Sequence, residues 1–338
     1  MKILVTGGAG YIGSHTIVDL LQNGFEVISV DNFYNSKETV FDGIEKITGV
    51  RVKNYNIDIT DLPKLEQVFA ENKDLAGVIH FAAYKSVEES VTQPLKYFKN
   101  NNEGLYNVLY CIDKYEVPNL IFSSSCTVYG NPEVLPVTEQ TPQQEAESPY
   151  GRTKQIGEGM IKDYAKSNLN FKTILLRYFN PAGAHDSFLI GEDARNVAWN
   201  LVPVIMETAK GAREKMFVFG DDYPTRDGSC IRDYIHVMDL AAAHTKSLEY
   251  LMSNKNTENC EIFNVGIGEG VTVLEAIRAF EKVTSVNVNH EIKGRRAGDV
   301  EAIYANNNKA ETLLGWSPKK NIDDIMLSAW EWEKNRKV

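Results

Sequence analysis

Thr6-Gly7-Gly8-Ala9-Gly10-Tyr11-Ile12-Gly13 follows a short apolar run, Ile3 to Val5, and leads into a helical stripe of Ile12, Thr16, Leu20 and Leu21 that Gly24 closes. Strand, glycine turn and helix in that order begin a βαβ unit. Glycine admits positive φ and close backbone approach, and the free N–H groups at a helix start are a site for a pyrophosphate. The spacing is Gly-x-x-Gly-x-x-Gly, looser than the strict dinucleotide fingerprint, so the turn needs support from its surroundings. Phe25 to Val30 gives that support, reading as a second strand that ends in Asp31. A carboxylate there can accept from both hydroxyls of an adenosine ribose and would repel a 2′-phosphate. No arginine follows closely, so the preference is NAD over NADP.

Working outward, Val50 to Ile57 alternates as a third strand running into Asp58-Ile59, an adenine-contacting edge. Gly77 to Ala82 reads as a fourth, Leu120 to Phe122 as a fifth and Phe171 to Tyr178 as a sixth. Nearly all-apolar strands alternating with helical segments predict an α/β fold: a Rossmann-type doubly wound parallel sheet, covered on both faces. Ligands bind such sheets at the carboxyl ends of the strands, where Gly13, Asp31, Asp58 and Lys85 all fall. Residues 87–115 read as one long helix or two, interrupted by Asn100-Asn101-Asn102, poor helix formers suited to face a ligand. Pro181 and Gly183 stop regular structure. The chain is therefore divided into a first domain, 1–180, and a smaller α/β substrate domain, 181–338, with about 236–265 expected to return to the first. In the second half Ile231 to Val237 alternates as a strand, and Lys293-Gly294-Arg295-Arg296-Ala297-Gly298-Asp299 is a basic cluster.

The chain has 338 residues, and 36 basic against 46 acidic residues give a net charge of −10, which argues against nucleic-acid and membrane-surface roles. An anionic ligand would then need local positive groups. No apolar run reaches the roughly 18 residues of a membrane span, and the opening residues do not read as a signal peptide. Cys111, Cys126, Cys230 and Cys260 are scattered without a Cys-x-x-Cys pair, so neither a disulfide scaffold nor a metal site is expected, and reduced thiols in the cytoplasm are the simplest account.

Ser148-Pro149-Tyr150-Gly151-Arg152-Thr153-Lys154 reads as a helix start, with Ser148 as N-cap and Pro149 in the first turn. Tyr150 and Lys154 then share a face, four residues apart. An ammonium beside a phenol, helped by the helix N-terminus, is expected to favour the phenolate, making Tyr150 a base near neutral pH. The serine hydroxyls of Ser123-Ser124-Ser125, just past the fifth strand, stand where a substrate would lie.

The glycine turn, Asp31, Ser123 to Gly130 and Tyr150-x-x-x-Lys154 together resemble the extended short-chain dehydrogenase/reductase family. Asp31-Asn32 with Asn35-Ser36-Lys37, His80-Phe81-Ala82, Arg177 to Ala184 and Arg232 to Asp239 make the chain similar to that family's UDP-glucose 4-epimerases over nearly its whole length. The resemblance implies an isomerase holding NAD, with Tyr150 as base, Lys154 tuning it and Ser125 relaying the proton. The cofactor would lie on Gly7, Gly10, Tyr11, Ile12 and Gly13, on Asp31, Asn32, Asn35 and Ser36, and on Asp58, Ile59, Phe81, Ala82, Lys85, Asn100 and Tyr178. A UDP-hexose would lie on Ser125, Tyr150, Asn180, Asn200, Leu201 and Phe219, on Arg232, Arg296 and Asp299, and against Ile303. At Ile303 the family sets admission of an N-acetyl group by side-chain bulk, and isoleucine matches neither extreme, so UDP-N-acetylglucosamine or a UDP-uronate is the alternative substrate. Sugar-nucleotide 4,6-dehydratases share the glycine turn and the Tyr/Lys pair but carry an Asp-Glu pair where Cys126-Thr127 stand here. The resemblance also implies a homodimer, joined through the long helices after the fourth and fifth strands.

Overall fold

The computed structural model describes residues 1–193, 200–296 and 300–336. Its centre is a seven-stranded parallel sheet. Six strands are β1 (Lys2–Thr6), β2 (Glu26–Val30), β3 (Lys53–Tyr55), β4 (Leu75–His80), β5 (Asn119–Ser125) and β6 (Lys172–Tyr178). The spatial order is β3-β2-β1-β4-β5-β6, followed by the strand Cys260–Val265. Side-chain alternation divides β1 between two cores: Ile3 and Val5 join the apolar layer on one face, Leu4 the layer on the other, all at 0% exposure. Burial of each such side chain contributes about 1.5–3 kcal/mol.

Thr6 is in register with both Val30 of β2 and His80 of β4, so three strands end at one level. The chain crosses over between β1 and β4, and in open parallel sheets the crevice at that switch is where ligands bind. The helix Val237–Met252 packs on the helix Tyr11–Gln22, and Cys260–Val265 pairs with β6, so this stretch of the second half joins the large sheet. The remaining strands form small sheets of two and three strands beyond the carboxyl edge.

Three sequence expectations change. The third strand is only Lys53–Tyr55, because Ile57 and Asp58 bend into the loop at the carboxyl edge. Ile231 to Val237 is not one strand: Ile231–Arg232 and Tyr234–His236 belong to different sheets, while the Asp233 carboxylate accepts from Ile267, Gly268 and Ala305 backbone N–H groups between them. The 87–115 region is broken into Val87–Thr92, Pro94–Tyr97, a π-helical turn Phe98–Glu103 and Gly104–Lys114. Pro94 interrupts the ladder, and Asn101 and Asn102 turn their side chains to Tyr84 and Thr153 on neighbouring segments.

Candidate active site

The carboxyl edges of β1, β2, β4 and β5 open into a cavity of about 1230 Å³. One end is built by the glycine turn. Gly7 has φ +73°, and a Cβ there would stand 2.8 Å from the Ala82 backbone nitrogen in the loop after β4. A Cβ on Gly13 would stand 2.2 Å from the Gly7 carbonyl oxygen. Neither position tolerates a side chain, and the space they leave brings backbone to the cavity wall. Gly10 caps the Tyr11–Gln22 helix with no side chain, so the first N–H groups of that helix are not satisfied by a side-chain cap. Tyr11 reaches across to donate to the Gly183 carbonyl at 2.6 Å, tying the turn to the segment after β6.

Asp31 sits at the end of β2. Its Oδ2 accepts from Ala9 N–H at 3.0 Å, and its Oδ1 accepts from Phe33 N–H at 2.8 Å and from the Ser36 hydroxyl at 3.0 Å. Burial raises its pKa and these donors pull it back. Asn32 donates to Asp58 at 3.0 Å, joining the ends of β2 and β3, and Asn35, Ser36 and Ile59 line the same wall. Phe81, Ala82, Lys85 and Asn100 line the wall opposite. This cradle fits NAD: a turn only glycine can make, an exposed helix start and a carboxylate beyond it. Lys85 is ion-paired with Glu192 at 3.1 Å, a partner that sequence reading did not assign.

The other end carries Tyr150 and Lys154. Ser148 Oγ accepts from Gly151 N–H at 3.1 Å and Pro149 opens the helix Pro149–Ser167, as its sequence predicts. Lys154 is 5% exposed, and its Nζ donates to the Ser123 carbonyl at 2.5 Å. The same Nζ is 5.9 Å from the centre of the Tyr150 ring. Ser125 lies beside Tyr150 on the cavity wall, while Ser123 bonds the Tyr178 hydroxyl. Ser123 and Ser125 lie within β5 instead of past it, and alternation sends both side chains to the cavity and Ser124 to the far side.

In the protein without cofactor, burial works against the expected phenolate. Burial pushes the Tyr150 phenol up to about 12, against the opposing hydrogen bond from Ser125. Burial likewise pulls Lys154 down to about 8, partly opposed by Glu158. In a dry pocket the loss of hydration disfavours both charged forms more than the two groups favour each other. The protein alone therefore holds a neutral phenol beside a weakened ammonium.

Cys126 and Thr127 line the cavity directly after Ser125. Burial pushes the Cys126 thiol up to about 12, so it is a neutral group. Asn180, Asn200, Leu201 and Tyr178 also line the cavity, and Asn200 donates to Glu192 at 3.1 Å. Arg232, Arg296, Phe219 and Ile303 do not line it directly. Arg232 donates to the Ile231 and Val300 carbonyls at 2.8 and 2.6 Å. Arg296 lies 5.3 Å from the Phe219 ring centre and 3.6 Å from Glu88. Ile303 is buried with Cys126 and Phe179, behind the wall that they form. Asp299 lies outside the described residues.

Sequence reading missed the support beneath this site. Glu158, one turn after Lys154 and 0% exposed, accepts from Arg177 at 2.8 and 2.6 Å, from Ser124 at 2.6 Å and from Gln143 at 2.7 Å. The i, i+4 spacing from Lys154 and the arginine before Tyr178 were the available signals. Asn101 accepts from Tyr84 N–H at 2.8 Å and donates to Thr153 at 3.1 Å, so it braces the site instead of facing a ligand.

A family model described as GDP-mannose 4,6 dehydratase matches residues 4–328. The chain is similar to a UDP-glucose 4-epimerase of Schizosaccharomyces pombe, 46% identical over 98% of this chain and 94% of that protein. It is also similar to a UDP-glucose 4-epimerase of Bacillus subtilis, 44% identical over 99% and 97%. Among solved structures, a UDP-glucose 4-epimerase from Bifidobacterium longum in complex with NAD+ and UDP superposes with a TM-score of 0.95 at 43% identity, covering 99% of this chain and 98% of that one.

Proposed function

The chain belongs to the family that this model describes, and within it to the UDP-glucose 4-epimerases, and from that membership we propose that it interconverts UDP-glucose and UDP-galactose. The observation that carries the reading is the convergence of Tyr150, Lys154 and Ser125 at one end of a cavity whose other end is the glycine cradle with Asp31. NAD, when bound, would supply reversible oxidation at sugar C4, the hydride being given back to the opposite face of the sugar so that C4 is inverted. Tyr150, neutral in the protein alone, would take the proton of the C4 hydroxyl once the positive charges of Lys154 and the nicotinamide beside it favour the phenolate, and would return it, assistance worth roughly 10²–10⁴-fold. Ser125, beside the phenol on the cavity wall, passes that proton on. Lys154 holds a positive charge beside the phenol from its seat on the Ser123 carbonyl.

The first-named chemistry of the family model, dehydration, needs an acid and a base beside the hydroxyl residue. Those positions hold Cys126, a neutral thiol, and Thr127. With no carboxylate at either position, return of the hydride is favoured over loss of water.

For the substrate, Asn180, Asn200 and Leu201 face the cavity, and Arg232 and Arg296 supply the local positive charge that an acidic chain needs for a diphosphate. Phe219, whose ring lies against Arg296, would lie at the uridine end beside that guanidinium. Ile303 bounds the sugar through Cys126 and Phe179, and UDP-N-acetylglucosamine or a UDP-uronate remains a second substrate class for a panel assay to test. The dinucleotide unit is 1–180 with 236–265, and the remainder of 181–338 binds the UDP-sugar. Exposed Leu95, Tyr106 and Ile156, on helices after β4 and β5, support a homodimer, and the four cysteines are free thiols, which suits the cytoplasm. No described helix is long and apolar enough to cross a membrane. The test is conversion of UDP-galactose to UDP-glucose by purified protein, and failure to convert in the presence of supplied NAD overturns the reading.

A further inference from the structure

Two loops flank the adenosine half of the cavity, one after β2 and one after β4, and each places a tyrosine on its wall. The rings of Tyr34 and Tyr84 meet with centroids 4.8 Å apart. Lys96 lies against both, its Nζ 5.2 Å from the Tyr34 ring centre and 4.9 Å from that of Tyr84, and it donates to the Tyr34 hydroxyl at 2.9 Å. Glu89 accepts from Lys96 at 2.5 Å and from the Tyr97 hydroxyl at 2.8 Å, and Tyr97 packs against Tyr84 at 5.7 Å. Asn101 bonds both the N–H and the carbonyl of Tyr84. Tyr84 is therefore fixed from the helix side, whereas Tyr34, 48% exposed, belongs to the loop that carries Asn35 and Ser36. Phe33 in that loop has φ +55°, an uncommon conformation for an aromatic residue, which turns the loop toward the cavity mouth.

We propose that Tyr34 and Tyr84, backed by Lys96, form an aromatic clasp across the mouth of the cavity that slows exchange of the bound dinucleotide. The inference rests on the NAD assignment above. An enzyme that oxidises and then reduces the same sugar regenerates its cofactor in every cycle, so slow exchange costs no turnover. A ring pair and a cation against two rings contribute together enough to retard opening roughly five- to fifty-fold.

The test uses the full-length holoprotein, loaded with radiolabelled NAD and chased with excess unlabelled NAD. Tyr34→Ala and Tyr84→Leu are each expected to accelerate exchange about five- to fifty-fold. Because either change breaks the same contact, the double variant is expected to exchange no faster than the faster single. Tyr84→Phe keeps the ring and is expected to exchange at the wild-type rate. Single variants that match wild type, a double variant whose effects multiply, or a Phe variant as fast as the Leu variant overturns the clasp. A wild-type protein that retains no label overturns the cofactor assignment itself, and the clasp with it.

Discussion

Tyr150 and Lys154 are held in a pocket that weakens the charge of each. With Lys154 pulled down to about 8 from an ordinary value of 10.5, the folded chain binds its proton less tightly than the unfolded chain does. The unfolded state binds more protons between those values, so the Lys154 contribution to stability is unfavourable below about 8 and is relieved as pH rises toward 10.5. Lys154→Met in the NAD-free protein is therefore expected to be at least as stable as wild type at pH 7, by up to about 3 kcal/mol, with the gap closing as pH rises through that window. Urea unfolding across the pH range measures it, and a Met variant clearly less stable at pH 7 contradicts the burial argument. Tyr150→Phe is expected to lower kcat by at least the 10²–10⁴-fold of general-base assistance and to leave NAD bound. The pairing of these two residues was legible in the sequence because four-residue spacing on a helix is a local fact. Their pKa values were not, because burial is set by β4, β5 and β6 together, which bring His80, Phe122 and Tyr178 around them.

At the scale of elements, the helix Pro149–Ser167 is bolted to the sheet by Glu158, and the bolt lies directly under the chemistry. Ser124, which Glu158 grips, stands between Ser123, which holds Lys154, and Ser125, which lines the cavity with Tyr150. Glu158→Ala leaves the Arg177 guanidinium buried without its carboxylate and is expected to cost about 3–5 kcal/mol, read as a lowered midpoint of denaturation. A loss below about 1 kcal/mol would place the pair among surface-like ion pairs. Gly13→Ala is expected to abolish NAD retention, since its Cβ would stand 2.2 Å from the Gly7 oxygen and backbone must move. Strands and glycine turn could be read directly, because period-two alternation and glycine punctuation are properties of neighbours in sequence. The broken helix at 94–103 and the split of Ile231 to Val237 could not, because Asn101 and Asp233 answer to backbone groups far along the chain.

For the whole molecule, the division of labour follows from topology. β1, β2 and β4 end at one level and build one end of the cavity with the glycine turn and Asp31, β5 and the 149–167 helix bring Ser125, Tyr150 and Lys154 to the other, and the segments after β6 close the cavity from above. Asp31, Asp58, Phe81 and Lys85, expected to face the nucleotide, were legible as cavity-lining residues because each follows a strand end. Arg232, Phe219 and Ile303 were harder to place, since they lie outside the main cavity wall on small sheets whose pairing no local pattern announces, and Arg296 follows one of those strands in a loop. A 38.0 kDa chain with exposed Leu95, Tyr106 and Ile156 is expected to sediment as a dimer, and Tyr106→Asp to shift it toward the monomer. The most direct test of the central claim is to incubate the purified protein with UDP-galactose, without added NAD, and to measure UDP-glucose. Conversion to an equilibrium mixture is expected from cofactor retained through purification. No interconversion, even after NAD is supplied, would contradict it.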